Sequence, residues 1–335
     1  MANRALRSPQ YKFILSFGTA NSVKCTITIN TILRYTIVKQ CAGGTNVWFE
    51  IAELCKDYLN DAVHTGGIPL DPTIDIVTVL TSHASTDGSG TALNTTTFTD
   101  IGFDGYGTFK EGSSPVIVPT VPRWLIDFDP NYTGINDRYF VFIPTGYQGY
   151  IPLITSTNSV EYYKFGSSDL DIVGSAAGVK MNIIRIDCTK YGAGNKVRFV
   201  NKYGVLQELW FFLKSTETIT KQNDMFQRNL FNSIYNIPVY DNNGHSRTIF
   251  NLTAKQLFTL SSGYYPEWCN AWFEQLLLSE QVWLTRPVYW TINNDEVVPL
   301  NVRKSSMVKK TSVNDKLIEY TFEFDMSFDY INNVR

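Results

Sequence analysis

VRFVNKYGVLQELWFFL, residues 197–213, is the stretch from which the fold can be read. Val197, Arg198, Phe199 and Val200 lead into Asn201-Lys202-Tyr203-Gly204, and an apolar return runs from Val205 through Trp210, Phe211 and Phe212. Asn and Gly accept the positive φ that a tight reversal demands, and the flanks carry β-branched and aromatic side chains suited to a pleated, buried surface. The segment reads as one long hairpin of a β-sheet. No catalytic motif falls within it.

Working toward the N-terminus, residues 183–188, 159–165 and 138–142 read as further strands, with 124–128 behind an irregular connection marked by Pro115, Pro119 and Pro122. GFDGYG, residues 102–107, has the glycines of a phosphate loop, but its spacing is wrong and no helical pattern follows, so it reads as a tight turn at a strand edge. Residues 82–97 are rich in Gly, Ser and Thr and are expected to form an exposed loop tip that contacts a neighbour. Residues 74–80 form the strand before it. The first 40 residues read as a three-strand meander, 11–17, 23–29 and 32–38. From Trp48 the spacing of Ile51, Leu54, Cys55, Tyr58 and Leu59 turns helical, with Glu50, Glu53 and Asp57 opposite.

Toward the C-terminus the pattern restarts near Thr220. Residues 237–240, the turn Asn242-Asn243-Gly244 and residues 248–252 predict a second hairpin. Pro266 suits the first turn of a helix over 266–280, whose apolar stripe is Trp268, Trp272 and Leu276 with Cys269, Phe273 and Leu277 beside it. Strands follow at 282–284, 288–292 and 297–302. The final segment alternates Ile318, Tyr320, Phe322, Phe324, Met326, Phe328 and Tyr330 with Glu319, Glu323, Asp325 and Asp329, predicting a strand of roughly 40 Å. The class is mostly β: a β-sandwich-like domain over 1–220 and a β-rich domain over 221–335, each with one short amphipathic helix packed on it. Phe199, Gly204, Trp210, Phe211, Trp272, Tyr320, Phe322 and Phe324 are the residues expected to hold this fold.

Charged residues make up 18% of the 335, against roughly a quarter in ordinary soluble domains, while aromatics reach 14%. A surface low in charge and rich in Tyr, Asn and Thr suits a chain that meets other protein. The net charge of −2 argues against nucleic-acid binding, which needs a basic stripe. Arg303, Lys304, Lys309 and Lys310 form one basic cluster, read as a solvated strand and turn. The five cysteines, Cys25, Cys41, Cys55, Cys188 and Cys269, include no CxxC pair and are expected to be reduced and mostly buried, as in a cytoplasm. Residues 13–17 are too short for the apolar core of a secretory leader, and no apolar run approaches the ~18 residues of a membrane span.

Reactive constellations are scarce. His64, His83 and His245 lie in separate segments without metal-ligand spacing, so no catalytic, cofactor-binding or metal residues are assigned. Asp127 with Asp129 and Asp169 with Asp171 are DxD pairs, but neither continues as a calcium loop, and they read as turn carboxylates. Glu323 and Asp325, two apart on one strand face, lie about 6.5 Å from each other, a separation also found in glycosidases; without a cleft signal they read as a solvent or subunit face. An aromatic face for stacking sugar rings is the alternative use of the tryptophans, although Trp48, Trp124, Trp268, Trp272 and Trp290 fall on apolar periodicity and read as core.

Several features in order carry a resemblance. They are FEIAELCKDYL (49–59), GFDGYGTFKEG (102–112), IDCTKY (186–191) ahead of VRFVNKYGVLQELWFF, then WFEQLLLSEQVWL (272–284) and the closing NDKLIEYTFEFDMSFDY. As a series the chain resembles structural virion proteins of tailed bacteriophages, especially those infecting marine and Bacteroidetes bacteria. Each motif is a folding signature. The resemblance implies a tail, baseplate or neck component with no enzymatic activity and no cofactor. Its implied partners are copies of itself and adjacent tail, neck or baseplate proteins, without nucleic acid or membrane, in a virion assembled in the host bacterial cytoplasm. The absence of a long helical or collagen-like stalk argues against a fibre shaft. The alternative within this reading is a receptor- or carbohydrate-binding module at the phage tail tip.

Overall fold

The computed structural model describes residues 2–59, 76–112, 114–116, 122–131, 138–173, 180–187, 194–228, 231–234, 237–240, 243–287, 295–303, 306–309 and 316–331. The chain is mostly β, with a sandwich-like organisation of several sheets. The diagnostic hairpin forms from Asn195–Val200 and Leu206–Phe211, paired from Asn195↔Phe211 to Val200↔Leu206. Its turn closes with Gly204 donating to the Asn201 carbonyl (2.9 Å) and Gly204 at φ 76°.

That hairpin is one end of a seven-stranded antiparallel sheet. In spatial order the strands are Leu206–Phe211, Asn195–Val200, Val282–Pro287, Asp295–Val302, Thr321–Met326, Arg247–Ser261 and Thr216–Gln227. The expected division at 220/221 falls inside the strand Thr216–Gln227, and strands from both sides of it share this sheet. Two three-stranded sheets, built on Gly149–Ile154 and on Lys180–Ile186 with Tyr139–Pro144, complete this part. One core joins them: Trp124, Tyr139, Ile151 and Ile183 share it with Phe199, Phe211, Phe322 and Phe324, all at most 4% exposed. The helix Asn270–Leu278, entered through a 3-10 turn over Glu267–Cys269, closes the core. Phe273 inserts among Phe211 (6.4 Å between ring centroids), Phe322 (6.0 Å) and Tyr265 (5.4 Å). Burying such a ring is worth about 1.5–3 kcal/mol, and Trp272 and Leu276 are buried from the same helix beside it.

The N-terminal sheet has five strands in the order Ala2–Ala5, Ala92–Phe103, Val77–Thr86, Ser22–Ile29 and Ile32–Gln40. Val23, Cys25, Ile27 and Ile29 are its buried row, as their alternation predicts. The meander fails at its first strand. Tyr11–Leu15 pairs with Asn46–Glu50, a strand that was expected to begin a helix. Val47 and Phe49 point inward with a period of two, so the helix starts only at Ala52 and spans Ala52–Lys56. Trp48 consequently lies on the outside, 49% exposed, rather than in the core.

Three other expectations are corrected. Residues 82–97 are not a loop: Val77–Thr86 and Ala92–Phe103 pair along their length and leave a tip at 87–91. Thr81, His83 and Ser85 are the buried row there, a period-two pattern written in polar letters. Ile237–Tyr240 pairs with Phe231–Ile234 and not with residues 248–252, which belong to the 15-residue strand Arg247–Ser261. The final strand is Thr321–Met326, preceded by a separate short one, Leu317–Ile318, and Phe328 and Tyr330 are half exposed. The chain changes partners there, from Tyr265–Pro266 to Arg247–Ser261, so one alternating pattern serves two ladders. The strand expected at 288–292 lies outside the described residues, as does Trp290.

A third, smaller core joins the two parts. Ile101 and Phe103 from the N-terminal sheet meet Leu125, Ile154, Val160, Tyr203 and Val205. The turn of the diagnostic hairpin thus packs on the GFDGYG segment, with Tyr106 N–H donating to the Lys202 carbonyl (2.9 Å).

Candidate functional site

Each of the four carboxylates of the DxD pairs, Asp127, Asp129, Asp169 and Asp171, makes contacts within the fold. Asp127 accepts from the Tyr203 hydroxyl (2.7 Å) and from Gln275 Nε2 (2.5 Å), and pairs with Lys202 Nζ (3.2 Å). It ties the hairpin turn to the C-terminal helix, and burial pushes the Tyr203 phenol well above its usual range. Asp129 accepts from the backbone and side chain of Asn131, Asp169 from Gly166 N–H (2.6 Å), and Asp171 pairs with Lys180 (3.1 Å). Among the described residues no group of three His, Cys, Asp or Glu side chains could hold a metal ion. His83 is buried between Phe49 and Phe98, His245 is exposed, and His64 lies outside the described residues. Cys25, Cys55 and Cys269 are free and buried, and Cys41 is free and half-buried.

The carboxylates of the last strand stand on the face opposite buried Phe322 and Phe324. Asp325 lies 3.9 Å from Arg303, and Glu319 accepts from Ser261 (2.8 Å). Lys309 pairs with Glu274 (2.5 Å), while Lys304 and Lys310 lie outside the described residues. No described helix is long and apolar enough to cross a membrane.

What remains distinctive is surface. Thr216–Gln227 and Arg247–Ser261 pair from Thr216↔Thr259 to Gln227↔Arg247, yet only Leu257–Ser261 also pairs with the sheet's next strand. Beyond that point no other strand among the described residues pairs with them, and the two continue as a two-stranded ribbon. From Gln222↔Thr253 to Gln227↔Arg247 it runs roughly 20 Å. Met225 stands opposite Ile249 on one face, while Phe226 and Phe250 meet on the other at 5.6 Å between centroids. These four side chains are 46–61% exposed. The sequence hid this ribbon because neither face is buried, so TETITKQNDMFQ shows no strong alternation; its threonines and Ile219 were the available strand signal. A second apolar face lies on the paired strands Tyr11–Leu15 and Asn46–Glu50, where Phe13 is opposite Trp48 and Leu15 is 65% exposed.

One cleft of about 560 Å³ opens beside the start of the C-terminal helix. Phe140, Phe142 and Trp268 form its aromatic wall, and Asp129, Glu267 and Asn270 reach it. Asn270 Oδ1 accepts from the Tyr320 hydroxyl (2.5 Å). Trp268 is therefore a cleft residue, whereas Trp124 and Trp272 are core as expected.

No protein-family model, curated protein or solved structure matches the chain.

Proposed function

We propose that this chain is a non-enzymatic structural protein of a tailed-bacteriophage virion, a tail, baseplate or neck component that works by assembling with copies of itself and with adjacent virion proteins. The ribbon is the observation that carries this reading. An isolated two-stranded ribbon is marginal in water, and apolar side chains on both of its faces find burial only between other protein surfaces. The exposed face around Phe13 and Trp48 supplies another such surface. The series of motifs that resembles phage structural proteins, from residues 49–59 to the closing strand, is what supports placing this assembly in a virion built in the host cytoplasm.

The test is size-exclusion light scattering of the purified chain, followed by negative-stain imaging of the peak. A closed symmetric oligomer is expected, and replacing Met225, Phe226, Ile249 and Phe250 by Ser should reduce its mass while leaving the circular dichroism unchanged. A chain that stays monomeric at every concentration, unaffected by these changes, overturns the assembly reading.

The cleft favours a second reading, a carbohydrate-binding module at the tail tip. Trp268 and Phe142, with ring centroids 6.2 Å apart, give sugar rings an apolar wall, while Asp129, Glu267 and Asn270 offer polar groups to hydroxyls. Glycan binding on an array that disappears in Trp268→Ala would support it.

A further inference from the structure

Thr216–Gln227 is the last strand of the seven-stranded sheet, and among the described residues no strand pairs with its outer edge. A long unpaired edge presents a row of backbone donors and acceptors to another strand. The inner ladder is regular over Thr216 to Gln222, and a bulge follows between Gln222 and Asp224. A bulge bends its strand and ends straight pairing. The straight part of the edge is therefore seven residues long, TETITKQ, and its middle residue is Ile219.

The charges in that segment are arranged symmetrically about its centre. Glu217 precedes Ile219 by two and Lys221 follows it by two, so all three side chains share one face. Suppose two copies pair antiparallel through this edge, related by a two-fold axis at Ile219. Then Ile219 meets Ile219 of the second copy, and Glu217 of each copy stands opposite Lys221 of the other. Both ion pairs form at once, and the half-exposed Ile219 side chains cover each other at the axis. A parallel arrangement in register would instead set Glu217 against Glu217 and Lys221 against Lys221. Glu217 accepts from Gln256 among its contacts within the chain, and a carboxylate with about four acceptor sites can receive an ammonium in addition.

We infer that the outer edge of Thr216–Gln227 pairs with the same edge of a second copy of this chain, antiparallel and centred on Ile219. The inference rests on the assembly reading and specifies one contact within it. Because the contact is isologous, it joins copies in pairs, separately from any head-to-tail contact that closes a ring.

Sedimentation equilibrium in low salt tests it with four variants. Glu217→Lys or Lys221→Glu alone turns both cross-strand pairs into like-charge pairs and should weaken the two-copy step by roughly tenfold or more. The double reversal, Glu217→Lys with Lys221→Glu, re-forms both pairs and should restore association to within about threefold. Ile219→Lys puts two ammonium groups at the axis and should abolish the step. Hydrogen exchange at residues 217–221 should slow as concentration rises. If single and double reversals associate alike, or if exchange at these amides ignores concentration, the Ile219-centred pairing is wrong. If those reversals leave the mass unchanged while the ribbon-to-Ser variant lowers it, the pairing falls and the assembly reading stands. A wild-type chain that is monomeric throughout removes both.

Discussion

Gly204 lies against the backbone of Asp104: a Cβ at residue 204 would stand 2.5 Å from the Asp104 carbonyl carbon and 2.7 Å from the Gly105 nitrogen. Two motifs nearly one hundred residues apart are thus in backbone contact. The hairpin turn at 201–204 is a joint as well as a reversal, and Tyr203 and Val205 on either side of the glycine fill the small core beneath it.

Gly204→Ala therefore meets two penalties. The φ of 76° costs a β-carbon about 1 kcal/mol, and the collision is with main chain, which cannot rotate away as a flexible side chain can. We expect a loss of roughly 2–4 kcal/mol in urea unfolding. A loss below 1 kcal/mol would mean that the hairpin turn and the 102–107 segment separate readily.

His83 supplies a pH dependence. It is 1% exposed, neither ring nitrogen has a protein hydrogen-bond partner, and Phe49 and Phe98 flank it. Burial, with the Lys12 ammonium adding to it, lowers its pKa from 6.5 to about 4. The fold holds the neutral ring, so this stability is complete above about pH 6.5 and is lost as pH falls toward 4. Over that window the loss is about 3 kcal/mol. His83→Leu should flatten this limb of the stability profile, measured by urea unfolding between pH 7 and 4. Identical slopes in the two proteins would show that the ring protonates inside the fold without penalty.

The same strand shows what the sequence could and could not reveal. Where the buried row is written in apolar letters, as in Val23, Cys25, Ile27 and Ile29 or in Phe322 and Phe324, alternation identified strand and inward face together. Where it is Thr81, His83 and Ser85, the same geometry looked like a polar loop, because polarity and exposure part company in a strand covered by neighbours. Alternation is also silent about partners: Tyr11–Leu15 is recognisable as a strand, but nothing in its pattern, or in that of Val47 and Phe49, says that it pairs with Asn46–Glu50. The ribbon was the least legible part, since a strand exposed on both faces has no buried period to detect.

Arg198 and Glu208 form a buried ion pair across the diagnostic hairpin. Arg198 Nε donates to Glu208 Oε1 at 2.8 Å, Lys196 lies at 3.6 Å, and Glu208 Oε2 accepts from Tyr150 N–H at 3.1 Å. The two side chains are 3% and 8% exposed. Removing one partner leaves the other buried without its principal counter-charge, so Arg198→Met should cost about 3–5 kcal/mol. The double change Arg198→Met with Glu208→Leu should cost less than the sum of the single ones, with a coupling of about 2 kcal/mol in a double-mutant cycle. Additive losses would show that the pair contributes no specific interaction.

Thiol reactivity reads the two cores separately. Burial pushes Cys25 up to about 11 and Cys55 up to about 12, with the nearby Glu50 and Asp100 carboxylates adding to the latter, and it pushes Cys269 well above its ordinary value. Thiolate is the species that alkylates, so at pH 8 each of these three sites is both shielded and protonated. Cys25 and Cys55 belong to the N-terminal core and Cys269 to the larger one, whereas Cys41 is half-buried. In a Cys188→Ser background, iodoacetamide should modify Cys41 first, with the other three reacting only as their own core opens. Peptide mapping along a urea gradient then distinguishes two outcomes. Simultaneous exposure of Cys25, Cys55 and Cys269 means that the joint at Gly204 couples the cores into one cooperative unit. Exposure of Cys25 and Cys55 ahead of Cys269 means that the N-terminal sheet unfolds first and the seven-stranded sheet survives it. We expect the first outcome, because Tyr203 and Val205 place the larger sheet's own hairpin within the core shared with Ile101 and Phe103. In Gly204→Ala, which forces that joint apart, the two sets of thiols should separate along the gradient.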